Sequence, residues 1–183
     1  MQRSIYPSIV IAALITGAAA FYIYRGDGEP QSAASAISAP QASTSEHSLV
    51  SGNTREYRSA THHFSLQYPI DLAVKEFEEG GSAMTVTFEN VVKGEGFQIF
   101  IIPYNEPQVS EERFRQDIPS GIRKGLTDVT IDNAVGAAFY SEHEILGETR
   151  EFWFIKNGWL YEITAPKSLD AWLSKIVATL EFK

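Results

Sequence analysis

The chain of 183 residues contains no cysteine, and it has only two methionines and four histidines. The absence of cysteine excludes thiol catalysis, cysteine-ligated metal sites, disulfides and a lipid attached to an N-terminal cysteine. It does not decide the compartment, because proteins without cysteine fold on either side of a membrane. The missing residue therefore limits the chemistry and leaves the location open.

Basic charge is also scarce: 15 Lys and Arg residues face 23 Asp and Glu residues, for a formal net charge of −8. A negative surface repels the phosphates of nucleic acids and the headgroups of anionic lipids. We therefore predict no nucleic acid partner.

One long apolar segment is present, "SIYPSIVIAALITGAAAFYIY" at residues 4–24, flanked by Arg3 and Arg25. About 20 apolar residues suffice to span a bilayer as a helix. A cleavable signal peptide would use Ala18, Ala19 and Ala20 as its small-residue cleavage site. The apolar segment continues past these alanines, which favours a retained single-pass anchor, or an uncleaved signal, over residues 1–25.

Both interpretations place the following domain outside the cytoplasm, on the periplasmic or extracellular face. Arg3 precedes the apolar segment, whereas Asp27 and Glu29 follow Arg25. Residues 26–54 are rich in Gly, Ser, Ala and Pro and predict a flexible linker. The remaining residues, 55–183, have enough aromatic and aliphatic side chains for one globular domain.

The apolar pattern of this domain predicts strands interrupted and followed by helices. Alternating apolar residues indicate strands at 64–68 and 84–88, and the nearly continuous apolar segment 97–102 indicates a strand covered on both faces. Ser110 is placed to cap a helix that carries Phe114 and Ile118 on one face, and Ser168 to cap a helix over 169–178. The order predicts an α+β fold, an antiparallel sheet with helices packed on it.

The stretch "REFWFIKNGWLYEITAP", residues 150–166, predicts a hairpin because Asn157-Gly158 favours a two-residue type I′ turn. Pairing outward from the turn gives two faces. One face is plainly core: Phe152, Phe154, Trp159, Tyr161 and Ile163. The other face is half apolar: Trp153, Ile155, Leu160 and Glu162, with Glu151 and Thr164 beyond.

Two interpretations of the second face follow. A helix covers it, and this is the interpretation that the pattern favours, because an exposed sheet face is normally polar. Alternatively, Trp153 forms part of an exposed platform for a ligand or partner, with Glu162 as its polar group. Trp153 and Glu162 are therefore the candidate ligand or partner surface.

"FSLQYP" near the start of the domain, "GETREFWFIKNGWLYEITAP" late, a helix carrying Trp172 and a terminal "IVATLEF" together resemble the PsbP/Mog-like superfamily. That superfamily includes the extrinsic PsbP proteins of photosystem II and bacterial DcrB-type envelope proteins. The resemblance implies an α/β/α sandwich over residues 55–183, with helices on both faces of an antiparallel sheet. It also implies a non-catalytic accessory or binding role, and no binding residues transfer from it.

No pattern in the chain predicts a cofactor or a catalytic site. His62 and His63 are interpreted as a surface pair at a strand edge, because adjacent strand residues point to opposite faces. Glu142, His143 and Glu144 are the best metal candidate and are more simply a solvated edge. We therefore predict a non-enzymatic binding or assembly module for an envelope protein or small ligand, with a metal-dependent or hydrolytic envelope enzyme and a purely structural envelope component as alternatives.

Overall fold

The structure, a computed structural model, describes residues 53–183. The predicted membrane anchor at 1–25 and residues 26–52 of the predicted linker lie outside the described residues. The described chain contains ten strands and two α-helices, with the following bounds: β1 Thr54–Ser59, β2 Phe64–Pro69, β3 Ala73–Glu78, β4 Met84–Asn90, β5 Glu95–Pro103, α1 Glu111–Asp117, β6 Lys124–Ile131, β7 Ala134–His143, β8 Gly147–Lys156, β9 Trp159–Pro166, α2 Asp170–Val177 and β10 Glu181–Phe182.

The strands form two sheets in which every pair is antiparallel. The large sheet has seven strands in the order β3-β4-β5-β9-β8-β7-β6, and the small sheet has three in the order β1-β2-β10. The late hairpin β8–β9 lies at the centre of the large sheet, so both of its faces need cover.

The main core lies between one face of the large sheet and a layer made of the small sheet and α2. It contains aromatic and aliphatic residues from the large sheet, such as Phe88 and Tyr161, against Phe64 of β2 and Trp172 of α2. Phe88 stacks on Phe97 with ring centroids 4.3 Å apart, and the edge of Trp172 meets Phe97 at 5.8 Å. This face is the one that the hairpin pattern identifies as core.

The opposite face of the large sheet is covered in part by α1. Phe114 of α1 packs against Phe139 of β7 and Trp153 of β8, with ring centroids 5.8 Å apart in both pairs. The α+β fold on an antiparallel sheet is therefore confirmed, with one helix on each face. The small sheet is a feature that the sequence analysis did not predict.

The sequence predicts the start of α1 and the turn between β8 and β9 correctly, but not the start of α2. The Ser110 hydroxyl oxygen caps α1 by accepting the N–H of Arg113 at 3.1 Å, and Asn157 and Gly158 adopt the positive φ angles of a type I′ turn. The predicted cap at Ser168 is wrong: a short 3₁₀ turn, Lys167–Leu169, leads into α2, and no side chain caps it.

Neither helix in residues 53–183 has the length and the apolar character that a membrane span requires.

Candidate functional site

Trp153 and Glu162, the residues singled out in the sequence, lie directly opposite each other on β8 and β9. Trp153 is only 3% exposed and Glu162 only 5%. The alternative interpretation of an open platform at these two residues is therefore wrong, because α1 covers them. Phe114 of α1 packs on the Trp153 ring, and Arg113 and Asp117 of α1 lie at Glu162. Binding of a ligand or partner by this pair stays a prediction.

Helix α1 brings three functional side chains to this face. Phe114 is its only buried residue, and the Arg123 guanidinium stacks over the outer side of the Phe114 ring at 4.5 Å. Arg113 donates two hydrogen bonds to the Asp117 carboxylate one turn later. The aromatic contact holds α1 on the sheet, whereas the ion pair lies within the helix.

A buried group of charges lies where α1 meets β9. The Arg113 Nε lies 4.0 Å from Glu162 Oε1, and the Asp117 and Glu162 carboxyl groups are close enough to share a hydrogen bond when one of them is protonated. Burial raises the pKa of Glu162 well above its usual value, and the nearby Asp117 charge raises it further. Burial also raises the pKa of Asp117, although Arg113 opposes that shift.

Glu151 is a second buried carboxyl group on the same face. It accepts hydrogen bonds from the hydroxyls of Thr149 and Thr164, both at 2.6 Å, and from the Trp153 indole N–H at 3.4 Å. Burial nevertheless raises the pKa of Glu151 to about 7, because the three donors only partly offset the loss of water. We call Arg113, Asp117, Glu151 and Glu162 the covered cluster.

A row of polar side chains continues from Glu151 across the sheet. Thr87, Gln98, Thr164 and Glu151 are successive cross-strand neighbours on β4, β5, β9 and β8. The Thr87 hydroxyl and the Gln98 side-chain oxygen are buried and have no hydrogen-bond partner. Buried polar atoms of this kind normally bind ordered water or a ligand, since leaving them unpaired costs about 1–3 kcal/mol each.

The candidate metal ligands Glu142, His143 and Glu144 lie at the end of β7 and in the turn that follows, where His143 has a structural role. His143 ends β7, and its Nδ1 accepts the backbone N–H groups of Ile145 and Leu146, both at 3.2 Å, which fixes the turn into β8. Burial lowers the pKa of His143. Within residues 53–183, no group of three or more Asp, Glu, His or Cys side chains is arranged to hold a metal ion.

The predicted surface position of His62 is wrong. Residues 60–63 form the turn between β1 and β2 instead of a strand, so alternation does not apply to them. His62 is buried, and its ring packs edge-on against Trp159 with centroids 4.5 Å apart. Burial lowers the pKa of His62, as expected for a side chain with a packing function.

One end of the large sheet carries exposed apolar side chains. Ile70, in the turn between β2 and β3, is 45% exposed, and Val91 and Val92, in the turn between β4 and β5, are 53% and 95% exposed. The two turns are joined because Asp71 contacts both Asn90 and Lys93. We call Ile70, Val91 and Val92 the entry tip, since the Ile70 N–H donates to the carbonyl of Asn53, where the described chain begins.

Half of the covered cluster was identifiable from the sequence. The hairpin register already places Glu151 opposite Thr164 on the same face as Trp153, so a buried acid there was readable from the pairing. No comparable signal placed Arg113 and Asp117, since these residues reach the site only through the docking of α1. The polar row also depends on the pairing of β5 with β9, which are far apart in the sequence.

The seven-stranded antiparallel sheet with a helix on each face is a PsbP-like fold. The chain is similar to the solution structure of cyanobacterial PsbP (CyanoP) from Synechocystis sp. PCC 6803, with 10% sequence identity and a TM-score of 0.50. The similarity covers 74% of this chain and 95% of that chain. No protein-family profile and no curated protein sequence matches. At this identity the similarity shows the fold alone, and the relation to DcrB-type proteins stays a prediction.

Proposed function

We propose that the protein is a membrane-anchored, extracytoplasmic and non-enzymatic assembly module that binds a protein of the cell envelope. The observation that carries the proposal is the entry tip, which is apolar, exposed and adjacent to the start of the described chain. The predicted anchor and linker precede this point, so the proposal places the tip on the side of the domain from which the tether leaves.

The exposure and chemistry of the entry tip support a protein contact. Val92 is almost fully exposed at a strand-to-strand turn, where a large apolar side chain contributes nothing to the core. Contiguous exposed apolar residues with a polar rim are typical of interaction surfaces. The rim is present: the ion pair between Lys93 and Asp71 borders the apolar side chains.

A second surface is available for a ligand or partner at Trp153 and Glu162. Because α1 covers both residues, any binding there requires α1 to move. A ligand that binds there meets the polar side chains of Thr87 and Gln98 on the neighbouring strands. The entry tip remains the surface that is open without any change in the domain.

Site-specific photo-cross-linking tests the proposed assembly role. A photoreactive amino acid is placed at Val92 in the full chain, and irradiated membranes are solubilised and analysed for cross-linked products. Val135 provides the matched control, since it is also an exposed valine, at 76%, and lies beside the turn between β6 and β7 at the opposite end of the sheet.

We expect one dominant cross-linked envelope protein from position 92 and none from position 135. Loss of that product when Val91 and Val92 are both changed to Ser would tie the contact to the apolar side chains. Absence of any product at position 92, or the same products from both positions, would contradict a specific assembly surface at the entry tip.

A further inference from the structure

The interface between α1 and the large sheet holds more acids than it can neutralise. Arg113 and Asp117 come from α1, Glu162 from β9 and Glu151 from β8, so one guanidinium lies near two carboxyl groups and a third carboxyl group is buried beside them. The other charges near α1 lie on its outer side, where Glu111 pairs with both Arg115 and Arg123.

The protonation state of Asp117 and Glu162 sets the net charge of this interface. While Glu162 carries a proton, Arg113 offsets Asp117 and the pair of residues 117 and 162 adds no unpaired charge. When both carboxyl groups are ionised, one guanidinium faces two adjacent negative charges in a site that is largely removed from water. A buried charge without a partner is strongly destabilising, and Glu151 adds to the repulsion as it ionises.

Few buried side chains attach α1 to the sheet, so a change of charge at this interface affects whether the helix stays in place. The helix has seven residues, and Phe114 is its one buried residue, with the Asp117 side chain also largely covered. Residues 104–110 before it and 118–123 after it are outside regular structure, and Gly121 has a φ of +65°. Segments with few buried apolar contacts are the first to open locally in folded proteins.

We propose that α1 is a pH-responsive cover, which stays on the sheet while Asp117 and Glu162 share a proton and leaves it when both ionise, uncovering Trp153 and Glu162. This goes beyond the proposed assembly role, because the cover controls a different surface from the entry tip. It gives the domain a buried aromatic and acidic surface that becomes available in one pH range only.

The sign of the effect follows from the environment of Glu162. Burial and Asp117 raise the pKa of Glu162 in the closed state, whereas a solvated Glu162 in the open state titrates near its ordinary value of 4.5. The closed state therefore holds its proton to higher pH, and opening becomes easier as the pH rises above 4.5 until the closed state has ionised. One linked proton changes the opening equilibrium by up to about tenfold per pH unit in that window.

Amide hydrogen exchange on the full chain in mild detergent tests the cover. Exchange is measured by mass spectrometry between pH 5 and 9, and rates are corrected for the intrinsic effect of pH. The reporters are amides of α1 and its end, including Phe114 and Ile118, which bond to the carbonyls of Ser110 and Phe114. Amides of α2 provide the internal reference, because α2 packs on the other face.

We expect the protection of α1 between pH 5 and 9 to fall by at least about tenfold more than that of α2, which reports the loss of global stability over the same range. The Glu162→Gln variant should keep α1 protected throughout, and Glu112→Gln, which removes an exposed acid from the same helix, should behave like the natural chain. Asp117→Asn provides the same test if Glu162→Gln does not fold, because the remaining carboxylate then balances Arg113. Constant α1 protection in the natural chain, or an unchanged pH dependence in Glu162→Gln and Asp117→Asn, would overturn the proposal.

Discussion

At the scale of single residues, Glu151 shows that burial can outweigh hydrogen bonding. Three donors converge on its carboxyl group, and each of them favours the ionised form. Glu151 is nevertheless only 2% exposed, and its removal from water raises its pKa to about 7. Near neutral pH the group is therefore only partly ionised, and the stability of the domain depends on its proton.

The Glu151→Gln variant should flatten the pH dependence of stability. The folded-state pKa of Glu151 is about 7 against an ordinary value of 4.5, so the folded state binds more protons between these values. The stabilisation that this group contributes is then fully present below pH 4.5, and about 3 kcal/mol of it is lost as the pH rises to about 7. We expect Glu151→Gln to lose less of its unfolding free energy than the natural chain between pH 5 and 8, measured by urea unfolding.

Glu162 and Asp117 titrate in the same direction, so part of the slope should remain in Glu151→Gln. Glu78→Gln, on the exposed edge strand β3, is the matched control and should leave the slope as it is. An identical pH dependence in Glu151→Gln and the natural chain would show that Glu151 does not carry the proton assigned to it.

At the scale of elements, the hairpin β8–β9 was predictable to the residue. Asn157-Gly158 fixes the turn, and the register then follows by counting, so the pairs from Lys156–Trp159 to Phe152–Ile163 match the structure. The inference that a helix covers the Trp153 face also rested on this register. Both features depend only on neighbouring residues and on the apolar pattern.

Features that depend on distant contacts were not predictable. β10 has two residues and pairs with β2, joining Glu181 to Ser65, and a two-residue strand has no periodicity to detect. The covered cluster forms only because α1 crosses the sheet at one particular place. The apolar pattern of α1 predicts which face of the helix is buried, but it does not predict which strands lie beneath that face. The buried acids were therefore visible as residues, and their partners were not.

Gly136 provides a test of the packing between β7 and β8. Its position inside β7 reflects close approach: a Cβ would lie 2.5 Å from the Trp153 carbonyl oxygen and 2.6 Å from the Phe154 Cβ. Gly136→Ala should lower the unfolding free energy by about 1–3 kcal/mol, because backbone must shift to admit the methyl group.

Urea unfolding at fixed pH measures this loss, and Gly80→Ala is its control, since a Cβ at Gly80 meets nothing within 4 Å. Equal unfolding free energies for Gly136→Ala and Gly80→Ala would refute the close approach of β7 and β8.

At the scale of the whole molecule, the turns of the large sheet are divided between its two ends. One end has the entry tip beside Asn53, and the other has the turns of the β6–β7 and β8–β9 hairpins. Residues 53–183 by themselves form a main core on one face of the large sheet and a smaller apolar cluster under α1. We therefore expect the folded domain to be stable without the N-terminal residues, whose predicted role is to hold it at the membrane.

Deletion of residues 2–25 should separate location from folding. If the apolar segment anchors the chain, the full chain should remain in carbonate-washed membranes and the deleted chain should move to the soluble fraction. The melting temperature of the soluble variant should match that of the full chain in detergent within a few degrees, because the deletion removes no residue of the described core. A variant lacking residues 26–50 controls for chain length and should stay with the membrane. Retention of the variant without residues 2–25 in washed membranes would place the membrane attachment in the folded domain or a partner, and the anchor assignment would then be wrong.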